Sequence, residues 1–220
     1  MQRFFVPNDC ISGNEVTLSG DVARQLARVL RTRPGDRIVV LDDSGWEYLV
    51  ILDEVTSARA QGAIVERSLS TGEPHVRVTL YQAVLKADRF ELVLEKCTEL
   101  GVSTFVPTMC DRSIPREKGK AGAQDRRARW RRILTEAAEQ SGRGRVPSLQ
   151  QPVPFLQACD EVEGRAIMPW VEAGGTAIKT VLEPWQSEVD DDPKVSVFIG
   201  PEGGFTPNEI EHARTRGIVP

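Results

Sequence analysis

The string Phe198-Ile199-Gly200-Pro201-Glu202-Gly203-Gly204-Phe205-Thr206-Pro207-Asn208-Glu209 reads as an apolar strand, a glycine-rich turn and a helix start. Thr206 suits the N-cap, Pro207 the first helical position, and Glu209 completes a capping box. Gly200, Gly203 and Gly204 let the backbone approach a ligand closely or take a positive φ. In an open α/β sheet, ligands bind beyond the carboxyl ends of the strands, which is where such a turn falls. The string is not G-x-G-x-x-G and carries no Lys-Ser/Thr, so a phosphate cradle is poorly supported. Arg112, in Asp111-Arg112-Ser113, also follows a predicted strand end. Glu136, Glu139, Gln140 and Arg143 fall three or four apart, so they line one face if their helix continues through Ser141 and Gly142.

The elements that must position these residues fall into two grammars. Residues 1–72 read as short strands at 3–6, 15–18, 37–41, 47–52 and 61–66, separated by turn signals at 33–36 and 42–45. One helix over 20–30 interrupts them, with Asp21 able to cap it and Val22, Leu26, Val29 and Leu30 on a shared face. This predicts a small β-barrel with one inserted helix. From 73 to 220 strands and helices alternate: strands at 76–84, 104–108, 165–170 and 195–200, helices at 88–100, 124–141, 154–159, 175–182 and 207–216. The nearly continuous apolar run Val195-Ser196-Val197-Phe198-Ile199 suits a parallel sheet covered on both faces. The second half is therefore expected to be α/β, and 115–122 and 188–193 to be exposed loops.

Composition excludes several classes. With 40% apolar and 27% charged residues in 220, the chain buries substantial cores. No stretch is apolar enough to span a membrane and the N-terminus is not a secretory signal, so the expected location is the cytoplasm. The four cysteines, Cys10, Cys97, Cys110 and Cys159, are scattered, and His75 and His212 are the only histidines, which argues against zinc or a disulfide scaffold. The net charge of −4 counts against nucleic acid, but its distribution counts for it. Between 112 and 145 stand Arg112, Arg116, Lys118, Lys120, Arg126, Arg127, Arg129, Arg131, Arg132, Arg143 and Arg145 against four carboxylates, a basic segment on an acidic protein. A merely solvated helix face, or a helix end held for dimer contact, is the alternative reading of that segment.

GPEGGFTPNEI, KADRFELVLEKCTELGVSTFVPTMCDRS and RWRRILTEAAEQSGRGRVP, in that order, resemble the bacterial 16S ribosomal RNA uridine-N3 methyltransferases of the SPOUT class of knotted methyltransferases. MQRFFV and RVLRTRPGDRIVVLDDSG resemble that family's PUA-like RNA-binding domain. The resemblance implies a PUA-like β-barrel over 1–72 and a knotted, parallel-sheet SPOUT domain over 73–220. It also implies an S-adenosylmethionine cofactor, a homodimer, and methylation at N3 of a uridine in the decoding region of the small subunit. By the same resemblance Ile199, Gly200, Pro201, Glu202, Gly203 and Gly204 lie at the cofactor. Arg112, Arg143 and Glu139 become the catalytic candidates. Arg3, Arg31, Arg112, Arg126, Arg129, Gln140 and Arg143 become RNA-facing, and no metal is implied.

Two departures stand out. The family usually has a histidine just ahead of VLR, where this chain reads Arg24-Gln25-Leu26-Ala27-Arg28. The family also continues beyond Gly217-Ile218-Val219-Pro220 into a strand and a Gly-x-Arg-Ile-Leu-Arg-x-Glu-Thr-Ala segment that walls the cofactor pocket, so the resemblance implies a longer native chain. Chemically, neutral uracil N3 is a poor nucleophile: it needs a base, for which Glu139 is the candidate, or positive charge from Arg112 and Arg143 that favours its anion. Two other functions fit the residues: a non-catalytic ribosomal-RNA-binding dimer, or a SPOUT enzyme acting on another atom such as a ribose 2′-hydroxyl.

Overall fold

The short alternating segments at the start of the chain pair into one sheet of six strands, and the later βα segments into a second. The structure, a computed structural model, describes residues 1–113, 120–162, 164–171, 177–186 and 192–220. They divide into two compact units, Met1–Glu73 with Thr135–Val146, and Pro74–Leu134 with Pro147–Pro220.

In the first unit, β1 (Arg3–Phe5), β2 (Ile11–Ser12), β3 (Glu15–Ser19), β4 (Arg37–Leu41), β5 (Trp46–Val55) and β6 (Arg59–Leu69) lie in the order β1-β4-β5-β6-β3-β2. The β1–β4 pair is parallel and the others antiparallel. The order has two ends, and among the described residues no ladder joins β1 to β2. Alternate residues, among them Phe4, Val16, Leu18, Ile38, Val40, Val50 and Leu52, form the buried core on one face.

The helix after β3 departs from expectation. α1 (Gly20–Arg24) runs on into a wide π-helical stretch, Gln25–Leu30. Its N-cap is Ser19 without a side-chain cap bond, and Asp21 instead pairs with Arg24 in the first turn. The wider π turn carries Val29 off the shared face: it is 73% exposed, whereas Leu26 is fully buried.

The second unit contains β7 (Arg77–Ala83), α2 (Ala87–Glu99), β8 (Val102–Met109), α3 (Lys120–Ser141), β9 (Ser148–Leu149), β10 (Val153–Pro154), α4 (Phe155–Asp160), β11 (Arg165–Ile167), α5 (Ile178–Gln186), β12 (Lys194–Ile199) and α6 (Pro207–Thr215). From Thr135 onward α3 groups with the first unit. The sheet order is β10-β8-β7-β12-β11, with β9 beside β8, and every pair is parallel.

The strand expected to reach Trp170 ends at Ile167, where Val219 forms a parallel bridge. The helix expected at 175–182 is observed as α5, and 175–176 lie outside the described residues, as do 115–119 and 188–191 of the expected loops, Arg116 and Lys118 included. One sheet face packs on α4 and α6 through Tyr81, Val106, Phe155, Phe198, Phe205 and Ile210. Tyr81 stacks on Phe198 with centroids 4.3 Å apart, and Phe90 of α2 meets Trp130 of α3 at 4.4 Å.

Candidate active site

β7 is flanked on one side by β8, the next strand in the chain, and on the other by β12, the last, so the strand order switches sides between β7 and β12. A crevice at the carboxyl ends of such strands is the place for a ligand. The loop after β12 enters there as Gly200–Phe205, closed by the Gly204 N–H donating to the Pro201 carbonyl oxygen at 2.8 Å. Gly204 has φ +69°, the left-handed region that favours glycine. A side chain at Gly203 would put its Cβ 3.3 Å from the Cβ of Arg112, a tight contact that the arginine would have to shift slightly to relieve. Thr206 caps α6 in a complete capping box with Glu209, Pro207 following it, as the sequence predicts.

The turn, Arg112 and Pro169–Val171 line a cavity of about 460 Å³. Its walls mix apolar surface from Pro169, Trp170, Ile199 and Phe205 with backbone polar groups of the glycine turn, the mixture that suits a small organic ligand. The loop carrying Arg112 is a tight turn after β8, in which the Ser113 N–H donates to the Cys110 carbonyl (2.9 Å) and the Cys110 N–H to Ser113 Oγ (3.1 Å). Arg112 donates through Nη1 to the carbonyl oxygens of Gly203 (2.8 Å) and Phe205 (3.3 Å). Glu202 is held by Arg89 of α2 at 2.7 Å, and its own backbone N–H first, then Arg89, keeps its carboxyl below the usual range. Ile199, Gly200, Pro201, Glu202, Gly203, Gly204 and Arg112 are thus brought together at one cavity.

Arg143 and Glu139 fall in the first unit. The shared helix face expected for Glu136, Glu139, Gln140 and Arg143 does not form. Gly142 takes φ +76° and ends α3 at Ser141, and the Arg143 N–H turns back to the Ala138 carbonyl at 3.0 Å, a Schellman closure. Arg143 is 2% exposed and grips Glu73 through Nε–Oε1 (3.3 Å) and Nη2–Oε2 (2.8 Å). Glu139 is half-buried rather than exposed, and its Oε1 accepts the Phe5 N–H at 2.9 Å. Burial raises its pKa, the Phe5 N–H opposes that, and the like charge of Glu136 adds to it.

The remaining basic candidates differ in availability. Arg3 is paired with Glu47 (2.6 Å) and Arg129 with Glu91 (2.6 Å). Arg126 is half-buried over the Trp130 ring at 5.2 Å. Gln140 is exposed, and so is Arg31, which forms no ion pair among the described residues. Sequence reasoning missed three features: Arg89 paired with Glu202, the burial of Glu209 and its bond to the Asp111 N–H, and exposed Arg67 stacked on Trp46 (4.1 Å) beside Tyr48 (5.5 Å). An alternation count on β5 and β6 places Arg67 opposite Tyr48 and is the signal that could have found that platform. Among the described residues no three His, Cys, Asp or Glu side chains cluster to hold a metal, and no helix is long and apolar enough to cross a membrane.

The second unit's architecture agrees with what comparison with known proteins gives as the class: a family model for an RNA methyltransferase domain matches residues 72–220. The chain is 33% identical over 221 residues to the ribosomal RNA small subunit methyltransferase E of Synechocystis sp., spanning 99% of this chain and 69% of that protein. It is 26% identical to the Bacillus subtilis protein of the same name, over 96% of this chain and 84% of that one. The solved structure of a ribosomal RNA small subunit methyltransferase E from Neisseria gonorrhoeae bound to S-adenosyl methionine superposes with a TM-score of 0.85 at 29% identity, covering 100% of this chain and 87% of that one. A methyltransferase of Legionella pneumophila in complex with the same cofactor gives 0.84 at 26% identity, over 99% and 87%. The chain belongs to the RNA methyltransferases, in the ribosomal RNA small subunit methyltransferase E family.

Proposed function

We propose that this protein transfers a methyl group from S-adenosylmethionine to N3 of a uridine in the decoding region of 16S ribosomal RNA, within the small ribosomal subunit. The observation that carries the reading is the cavity of about 460 Å³ formed by the Gly200–Phe205 turn and Arg112, in a chain whose solved relatives are bound to that cofactor. The cavity lies in the usual size range of small-ligand sites, and its apolar walls suit a purine while the glycine turn offers backbone polar groups. Ile199, Gly200, Pro201, Glu202, Gly203 and Gly204 would hold the cofactor, which supplies a methyl group already activated on a sulfonium.

The protein's own residues then align the acceptor and manage the N3 proton. Alignment in a well-oriented site contributes up to roughly 7–11 kcal/mol. Arg112 lines the cavity with its guanidinium anchored, so its charge favours the uracil anion at the moment N3 attacks. Glu139 is the candidate base, and its upward shift runs in the direction a general base needs. We assign Arg143 to holding the end of α3 against Glu73, not to the reacting base. Reaching N3 requires a uridine out of its stack, so assembled subunits with an exposed loop are the substrate we favour.

The first unit is read as a PUA-like RNA-binding module, with Arg31 and Gln140 exposed for contact and Arg3 needing to leave Glu47; Arg126 and Arg129 of the second unit would have to leave their present partners to face RNA. The second is read as a SPOUT-type knotted domain working as a homodimer. The test is titration of S-adenosylmethionine into the protein, followed by nucleoside mass spectrometry of small subunits from a strain lacking the modification after incubation with protein and cofactor. N3-methyluridine is the expected product. A methylated ribose would redirect the assignment, and RNA affinity without cofactor binding would replace it with a binding role.

A further inference from the structure

Glu209 is 2% exposed and sits in the first turn of α6. Capping that helix uses one carboxylate oxygen: Oε2 accepts the Thr206 N–H at 2.8 Å and faces its hydroxyl at 3.1 Å. The other oxygen is not needed for the cap. Oε1 accepts the Asp111 N–H at 2.9 Å, from a loop 98 residues earlier in the chain. Burying a carboxylate costs desolvation, offset here by the Asp111 and Thr206 donors. A carboxylate accepts N–H groups on both oxygens, whereas an amide of the same shape accepts on one only.

What the second oxygen holds is the residue immediately before Arg112. The same loop is closed by the Cys110–Ser113 hydrogen bonds, the Thr206 hydroxyl lies 3.2 Å from Asp111 Oδ2, and the Arg112 head bonds the carbonyls of Gly203 and Phe205. Arg112 is therefore fixed through its backbone on one side and its guanidinium on the other. We infer that Glu209 is a positioning residue that clamps the Asp111–Ser113 loop to the Gly200–Thr206 turn and so sets where Arg112 stands in the cavity. Its effect on methyl transfer rests on the methyltransferase reading above; the clamp itself does not.

The experiment compares Glu209→Gln with Ala213→Gly, which weakens α6 at a buried position away from the loop. Amide hydrogen exchange at Asp111 is measured by NMR, alongside kcat and KM for methylation of small subunits. Glu209→Gln is expected to speed exchange at Asp111 at least tenfold and to lower kcat at least tenfold, with KM for the subunit within twofold. Ala213→Gly is expected to lower the melting temperature as much while leaving kcat and Asp111 exchange as in the parent protein. Unchanged exchange at Asp111 in Glu209→Gln, or an equal kcat loss in both variants, overturns the clamp. If the parent protein itself neither binds S-adenosylmethionine nor transfers methyl, the functional reading falls, while exchange at Asp111 still decides the clamp.

Discussion

The Arg143 guanidinium donates to both carboxylate oxygens of Glu73, at 3.3 and 2.8 Å, and Glu73 Oε1 also accepts the backbone N–H groups of Gly144 and Arg145 at 3.0 Å each. The Arg143 side chain is only 3% exposed, so this ion pair is largely buried on the arginine side. Glu73→Ala removes both of these guanidinium bonds and the acceptor of two backbone N–H groups, and is expected to destabilise the first unit by about 3 kcal/mol. Urea unfolding followed at Trp46, the one tryptophan within 1–73, measures it. A change below about 1 kcal/mol, the size of a surface pair, would show that the pair does not hold the end of α3.

Arg112 presents the opposite case. It is exposed, and its bonds reach carbonyl oxygens of an already closed turn. Arg112→Ala is expected to cut methyl transfer by about 100-fold or more, the scale of losing a placed charge. Thermal unfolding should shift by an equivalent of no more than about 1 kcal/mol, as for most exposed substitutions. Turnover close to that of the parent protein would remove Arg112 from the mechanism.

The end of α3 gives a backbone test. Gly142 sits at φ +76° with open space around a would-be Cβ, so Gly142→Ala meets no clash and isolates the conformational cost. That cost is about 1–2 kcal/mol for an L-residue in the left-handed region. Calorimetry should find a loss of that size. A neutral result would mean that α3 does not end at this residue in solution.

The parts of the site that were legible in the sequence are local ones. A strand, a glycine turn and a capping box occupy twelve consecutive positions, 198–209, and each residue's role follows from its neighbours. What was hidden depended on distant partners or on one dihedral. The face through Glu139 and Arg143 was a sound count of helical spacing that the φ of Gly142 cancels. Val29 failed similarly, because an α-helical period was applied to a π-helical turn. The second oxygen of Glu209 was beyond reach, since its partner lies 98 residues away. β9 and β10 are two residues each, too short for periodicity to register.

Glu139 supplies a prediction in which pH gives the sign. Burial raises its folded-state pKa above the unfolded value of about 4.3, so the native state holds the proton more tightly than the unfolded chain does. As pH rises from below about 4.3 through the folded pKa, ionisation is easier in the unfolded chain, and Glu139 progressively subtracts stability. Glu139→Gln keeps an oxygen for the Phe5 N–H and removes the ionisation. The stability difference, variant minus parent, should therefore rise across that window and level off above it. Chemical denaturation at pH values from 4 to 8 gives the curve; a flat or falling difference would show that burial does not govern this carboxylate, and would weaken its candidacy as the base that takes the N3 proton.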